Sequence, residues 1–324
     1  MDIRSGDDAA SGAARCAVQR RAVGADPVGS AGHYDAFVVV ESPLPWARDA
    51  TGCWPFTELG WSGAATTGAD ARSWRPMVVA PSGAAPDRVA VTVWERPNGS
   101  VAPFVGHRGR IPRADVPAVV EAVVGSPGAV GLLDRPAPPV LMVCAHGRRD
   151  VCCGSLGTRL AAGLPAGPDG TEILRCSHTG GHRFAPTALT FPDGLAWAHL
   201  DPALAAELRN RERPPSAAVL AACRGAAQLP AGPAQVADRE ALAAFGWRWV
   251  GSQRSVEVRG ESPHGVGDPP VEVHVEGPVG SGTVVVEVAA AFEVPPCGTP
   301  AGTGAGDETE AIWRVVDVAL RPTP

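Results

Sequence analysis

Between residues 144 and 182 the chain gathers side chains that bind soft and borderline metals. They are the thiols of Cys144, Cys152 and Cys153 and the imidazoles of His178 and His182. All lie at or near the ends of apolar runs, in VLMVCAHGRRDVCCGSLG (140–157) and EILRCSHTGGHRFAPTALTFPDGLAWAHL (172–200), with Gly-rich turns between. Eight residues separate Cys144 from Cys153, and three separate His178 from His182. The first interval exceeds the knuckle of about two to four residues usual in structural zinc sites; it is long enough to wrap a larger cofactor. The second contains Gly180 and Gly181. Two glycines cost a helix on the order of 1 kcal/mol each relative to Ala, so this pair is expected on a loop that bends around something. A metal centre is the leading reading. Two alternatives stand beside it: a structural zinc module closed by the same four ligands, and a thiol oxidoreductase using Cys152 with Cys153, or Cys153 with Cys176.

On spacing alone either Cys152 or Cys153 can ligate. Cys176 shares a strand face with Leu174 and is expected to be a core thiol. His146, between the Cys residues, reads as solvated or as a support for the ligands. His199, on the apolar run LAWAHL, reads as a core or edge histidine. His33, His107, His264 and His274 have no partner at ligand spacing and are assigned to the surface, and Cys16, Cys53, Cys223 and Cys297 to dispersed, inert thiols. Arg148, Arg149 and Arg183 either dock an acidic carrier and tune the site or lie on a solvated face. Pro186 is expected to be trans.

The elements that must position these groups follow from periodicity and turn chemistry. Strands are expected at 35–41, 76–80 and 88–95, and a helix at 115–124 with Asp115 as N-cap. Together they form an N-terminal α/β domain over 31–133, preceded by a flexible segment, 1–30. The Pro-rich DRPAPP (134–139) is expected to be a hinge. A second domain, 140–225, has strands at 140–144 and 172–176 around a helix at 155–163. A hairpin follows about Pro192–Gly194, then a helix capped by Asp201 with Pro202 at its first position. The β-α-β-β-β-α order is that of a minimal thioredoxin-like domain. A helix at 217–225 closes the second domain; a helix at 236–245 and strands at 255–258, 271–275, 283–288 and 313–320 make a helix plus β-rich C-terminal extension, 226–324. No internal repeat is evident.

With 324 residues, 45% hydrophobic and 19% charged, the chain is long enough for two domains and too apolar to be disordered. All 28 basic side chains are Arg, and the formal net charge of −6 argues against a nucleic-acid partner. No run approaches the roughly 18 apolar residues of a membrane span, and the N-terminus lacks a signal-peptide core, so a cytoplasmic protein without membrane association is expected. In a reducing compartment eight Cys are core thiols, metal ligands or redox groups rather than a disulfide framework.

CAHGRRDVCCG followed by CSHTGGHRFAPTALTFPDGL resembles the sucrase/ferredoxin-like family and is similar, more distantly, to thioredoxin-like two-iron ferredoxins. The resemblance implies a [2Fe–2S] cluster with one iron on Cys144 and Cys153 and the other on His178 and His182; Cys153 is preferred to Cys152 by the family's Cys-Gly pattern. It also implies a one-electron carrier that meets a redox protein partner, on a thioredoxin-like ferredoxin domain. The sucrose-cleaving part of the family label needs two facing carboxylates. Asp115, Asp193 and Asp201 read as turn and cap residues, so no such pair is nominated and no catalytic residue is assigned.

Overall fold

The computed structural model describes residues 17, 20–21, 24–63, 66–67, 72–81, 83, 87–97, 100–126, 129–165, 170–294 and 308–323. Cys16, Cys297, the loop 297–307 and most of the segment 1–23 lie outside them. In chain order the strands are β1 (Ala36–Glu41), β2 (Thr66–Thr67), β3 (Ser73–Val79), β4 (Arg88–Glu95), β5 (Val105–Pro112) and β6 (Arg135–Pro136). They continue with β7 (Val140–Cys144), β8 (Glu172–Cys176), β9 (Ala188–Phe191), β10 (Leu195–Trp197) and β11 (Cys223–Ala226). Last come β12 (Ser255–Arg259), β13 (Val271–Gly277), β14 (Gly280–Val294) and β15 (Glu308–Pro322). The described helices are α1 (Val116–Gly125), α2 (Thr158–Gly163), α3 (Pro202–Asn210), α4 (Ala217–Ala222), α5 (Pro233–Phe245) and the short α6 (Trp247–Val250).

One large mixed sheet runs β11-β10-β9-β7-β8-β3-β1-β4-β5-β6, with β2 on β3; β12-β13-β14-β15 form a separate antiparallel sheet. The order hides a repeat. β1 is parallel to β3 and antiparallel to β4, which is antiparallel to β5. In the same way β7 is parallel to β8 and antiparallel to β9, which is antiparallel to β10. Each half then adds helix and a returning strand, α1 with β6 on β5 and α3–α4 with β11 on β10. The halves meet where β3 and β8 pair antiparallel at Val79 and Cys176. The repeat lies in topology and leaves no trace at the level of residues.

Strands β1, β7 and β9 of the large sheet are buried on both faces, which is why they read as unbroken apolar runs. On one face Val38, Val40, Val78 and Val91 pack against Val116, Val120 and Val123 of α1. On the other, Phe37 meets Phe104 and Phe191 edge to face at 5.5 and 4.9 Å. In the smaller sheet Val271, Val273 and Val275 alternate inward and join Val236, Ala237 and Ala241 of α5 in one core. Asp238 of α5 is buried, accepting from Arg254 at 2.6 and 2.9 Å and from Trp249 Nε1 at 2.8 Å.

Several expectations are corrected. Asp115 makes no side-chain cap; it lies in a 3-10 turn (Arg113–Asp115) that feeds α1. The helix expected over 217–225 stops at Ala222, because Cys223–Ala226 are drawn into pairing with β10. β5, with two Gly and three charged or His side chains, shows no apolar pattern, yet it pairs with β4 along its whole length. Within the Pro-rich segment expected as a hinge, Arg135 and Pro136 pair with β5. Ala185–Pro186 is cis. The hairpin about Pro192–Gly194 and the Asp201 cap, which accepts from Leu204 N–H at 2.8 Å, form as read. No helix among the described residues is long and apolar enough to cross a membrane.

Candidate metal centre

Cys144 ends β7 and is completely buried, its N–H bonded to the Thr187 carbonyl. The chain leaves it through a polar loop and re-enters helix at Val151, passing through a π-type turn (Cys153–Gly157) into α2. Such turns are rare and concentrate at functional sites. Gly157 is where that turn presses on the end of β7; a Cβ there would overlap the Cys144 carbonyl oxygen. Asp150 sets the start of the turn, its Oδ1 accepting from Cys153 N–H at 2.8 Å.

The second loop follows β8. Gly180 and Gly181 both have left-handed φ, +85° and +67°, so the chain bends between His178 and His182 rather than forming a helix. A Cβ at Gly181 would overlap the guanidinium of Arg224. Four contacts hold this loop. His178 N–H donates to His146 Nδ1 at 3.2 Å, and Arg75 donates to the His178 carbonyl at 2.8 Å. Arg224 donates to the Gly180 carbonyl at 3.0 Å, and the Thr179 and Thr187 hydroxyls lie 2.9 Å apart.

These loops bring Cys144, Cys153 and His178 together, with one potential ligand atom of each within 4.8 Å of the others. His178 Nδ1 is buried without a hydrogen-bond partner. His182 stands slightly apart, its ring centre 6.4 Å from that of His178 and its Nδ1 3.3 Å from Asp150 Oδ2. The carboxylate stands at ion-pair distance from the ring, and carboxylates commonly sit beside metal-binding imidazoles. The thiol pair is electronically split. Hydrogen bonding from Cys153 holds the Cys144 thiol well below the usual range, against burial and with help from His178. Cys153, as the donor to Cys144 and also buried, is pushed well above it. Two buried Cys sulfurs, with an orphaned imidazole nitrogen beside them, form a donor set suited to a thiophilic metal.

Cys176 sits beside Cys144 in the β7–β8 register but stays a thiol, raised well above the usual range by burial and then by the charge of Cys144. Cys152 is buried with Cys144 and Cys153. Cys53 and Cys223 are also buried, and none of the six described Cys is in a disulfide. His146 is not solvated: it is 1% exposed, and because Nδ1 accepts from His178, Nε2 donates to the Ala47 carbonyl at 2.6 Å. Both its nitrogens are used. Arg183 is tied by a two-pronged contact to Glu310 of β15, which also takes Arg20 at 3.0 Å. Arg149 pairs with Asp49, and Arg148 is exposed. His199 is half-buried against Phe184, held down to about 4 by burial and then by Arg21. His33 and His264 are exposed, whereas His107 and His274 lie half-buried on β5 and β13.

The supporting groups escaped the sequence reading. Asp150 had a local signal, standing three residues before Cys153 as a helix cap does. Arg75 and Arg224 had none, since each reaches the loop from a strand distant in sequence. Arg224 is fully buried, and burial, with Arg183 next, lowers it to about 10.

The sucrase/ferredoxin-like family profile matches residues 27–225. The chain belongs to the sucrase/ferredoxin-like family. No curated protein and no solved structure matches it. The matched span takes in both halves of the large sheet and ends in β11, so in this member of the family α5 and the four-stranded sheet lie beyond it. Of the carboxylates named above, Asp193 accepts from Thr190, Leu195 N–H and Arg211 inside the β9–β10 hairpin. Asp201 caps α3.

Proposed function

We propose that this protein is a one-electron carrier whose [2Fe–2S] cluster is held by Cys144, Cys153, His178 and His182. The observation that carries the reading is the convergence of two buried thiols with the partnerless Nδ1 of His178, next to a His182 ring that has the Asp150 carboxylate 3.3 Å away. The residues fit the group: thiolates balance ferric charge, and neutral imidazoles raise the potential relative to four Cys. When bound, such a cluster supplies the one-electron acceptor. The protein's own residues do the rest. Asp150 fixes both Cys153 and His182, His146 and Arg75 hold the His178 backbone, and the Arg224 cation offsets negative charge at the centre. The Thr187 hydroxyl, 4.0 Å from Cys153 Sγ, is a weak donor to sulfur. The Cys side is closed, while the His182 side chain is 25% exposed, so electrons are expected to pass through the His edge to a redox protein partner. The strand order β10-β9-β7-β8 supports a thioredoxin-like reading of 140–225. A cytoplasmic location, with neither nucleic acid nor membrane as partner, belongs to the same proposal.

One observation favours a second reading. Three ligand atoms within 4.8 Å are compact enough for a single ion, with His182 closing a tetrahedral zinc site. A two-metal cluster needs the His178 ring to stand further from the thiols, which the Gly180–Gly181 bend permits. Anaerobic purification separates the two. The cluster gives a coloured protein with equal iron and acid-labile sulfide, and a paramagnetic signal after dithionite reduction. Zinc gives a colourless one.

A further inference from the structure

A cavity of about 240 Å³ opens beside the His178 loop, lined by Tyr34, Arg48, Asp49, Arg75, Arg149 and His178 among others. His178 is shared with the candidate ligand cluster, whereas Cys144, Cys153 and His182 are not in its walls, so the cavity adjoins that cluster. It forms between the two halves of the sheet, Tyr34 to Arg75 coming from the first and Arg149 with His178 from the second. From its lining we infer that it binds a small free oxyanion, a carboxylate or phosphate of metabolite size.

Charge points this way. Three arginines and one acidic residue line it, in a chain whose formal net charge is −6; one of the three, Arg75, already donates to the Tyr34 oxygen and the His178 carbonyl. Arg149 is shared with Asp49, whereas Arg48 is exposed and has no ion pair among the described residues. Hydrogen-bonding capacity points the same way. The Tyr34 oxygen accepts from Arg75 at 3.0 Å, so its hydroxyl hydrogen is left to donate elsewhere. Asp49 is the one acidic acceptor among these walls; the other polar side chains offer N–H or O–H. Guanidinium forks match carboxylate and phosphate oxygens in geometry as well as charge. Size narrows the ligand further. The cavity volume lies below the roughly 300–1,000 Å³ of sites for drug-sized ligands. A few-carbon acid or inorganic phosphate matches that size. Binding itself does not depend on the metal reading.

The test is calorimetric titration of the full chain, at low salt, with malonate and separately with inorganic phosphate. Saturable binding of at least one, at one site per chain, is expected. Arg48→Ala should weaken it about tenfold, from loss of one close unpaired charge in a semi-exposed site. Asp49→Asn should tighten it by about three- to tenfold, because it removes the opposing charge and releases Arg149. Arg159→Ala, an exposed arginine outside the cavity, should change nothing. Absence of saturable heat with both anions overturns the inference, as does an Arg48→Ala protein equal to Arg159→Ala, or an Asp49→Asn protein that binds more weakly. A cavity built for the acidic side chain of a protein partner would bind neither free anion above chloride, which also overturns it. Addition of the anion to the coloured protein should shift its visible absorption. A colourless protein that still binds malonate would refute the cluster and leave the anion site standing.

Discussion

Asp150 is the side chain whose removal tests the centre most directly. It is 2% exposed and performs two tasks, accepting from Cys153 N–H at 2.8 Å and facing His182 Nδ1 at 3.3 Å. Asp150→Asn preserves its shape and one acceptor oxygen. With that oxygen on Cys153, the group facing His182 becomes a neutral NH2 in place of a carboxylate oxygen. The ring then loses the carboxylate that stands beside it. Substitution of such supporting carboxylates typically weakens metal binding by about 10–100-fold. Asp150→Ala removes the Cys153 contact as well, and loss of a helix-start acceptor costs about 0.5–2 kcal/mol. Metal-free Asp150→Ala should therefore unfold at lower urea than metal-free Asp150→Asn, while both lose metal faster. The assay is the rate of metal transfer to a chelator from anaerobic protein, with urea unfolding of the metal-free forms alongside. If Asp150→Asn held its metal as long as the parent protein, Asp150 would not orient a ligand, and His182 would have no established place in the centre.

Two further outcomes follow from the geometry. Cys153→Ser should abolish metal retention, whereas Cys176→Ser and Cys152→Ser should keep it, because the potential ligand atom of Cys153 converges with those of Cys144 and His178 and neither Cys176 nor Cys152 belongs to that group; metal analysis of the purified variants decides, and loss of metal in the Cys176 variant would reassign the ligands. His199 should make stability depend on pH. Its folded value of about 4 lies below the ordinary 6.5, so the unfolded chain takes up the proton first. Stability present above pH 6.5 is then lost as pH falls towards 4, by at most about 1.4 kcal/mol per unit and less for a partly exposed ring. His199→Asn, which tolerates the left-handed backbone at φ 51°, should flatten the urea-unfolding profile between those values; parallel profiles would refute the assignment.

The candidate Cys and His pairs and the β9–β10 hairpin were legible because each depends on local chemistry: Cys at a strand end, Gly-Gly between two His, a Pro-Asp-Gly turn between short apolar runs. Strands buried on both faces declared themselves as apolar runs for the same reason. β5 and β11 did not, since a Gly- and Arg-containing segment and the end of a helical pattern become strands only when a neighbour offers an edge to pair with. The repeat of topology was equally hidden, because strand order is set by pairing between distant segments and not by residue identity.

The sequence by itself thus determined which side chains are able to bind metal, how the intervals between them bend, and which family the chain resembles. Only the tertiary structure decided how they are held. Packing the two halves edge to edge sets Arg75, from a strand of the first half, and Arg224, from the far edge of the second, against the loop carrying His178. It seats His146 against Ala47 and opens the arginine-lined cavity at the junction. Contacts of that kind follow from the satisfaction of buried polar groups in three dimensions, which no local spacing records.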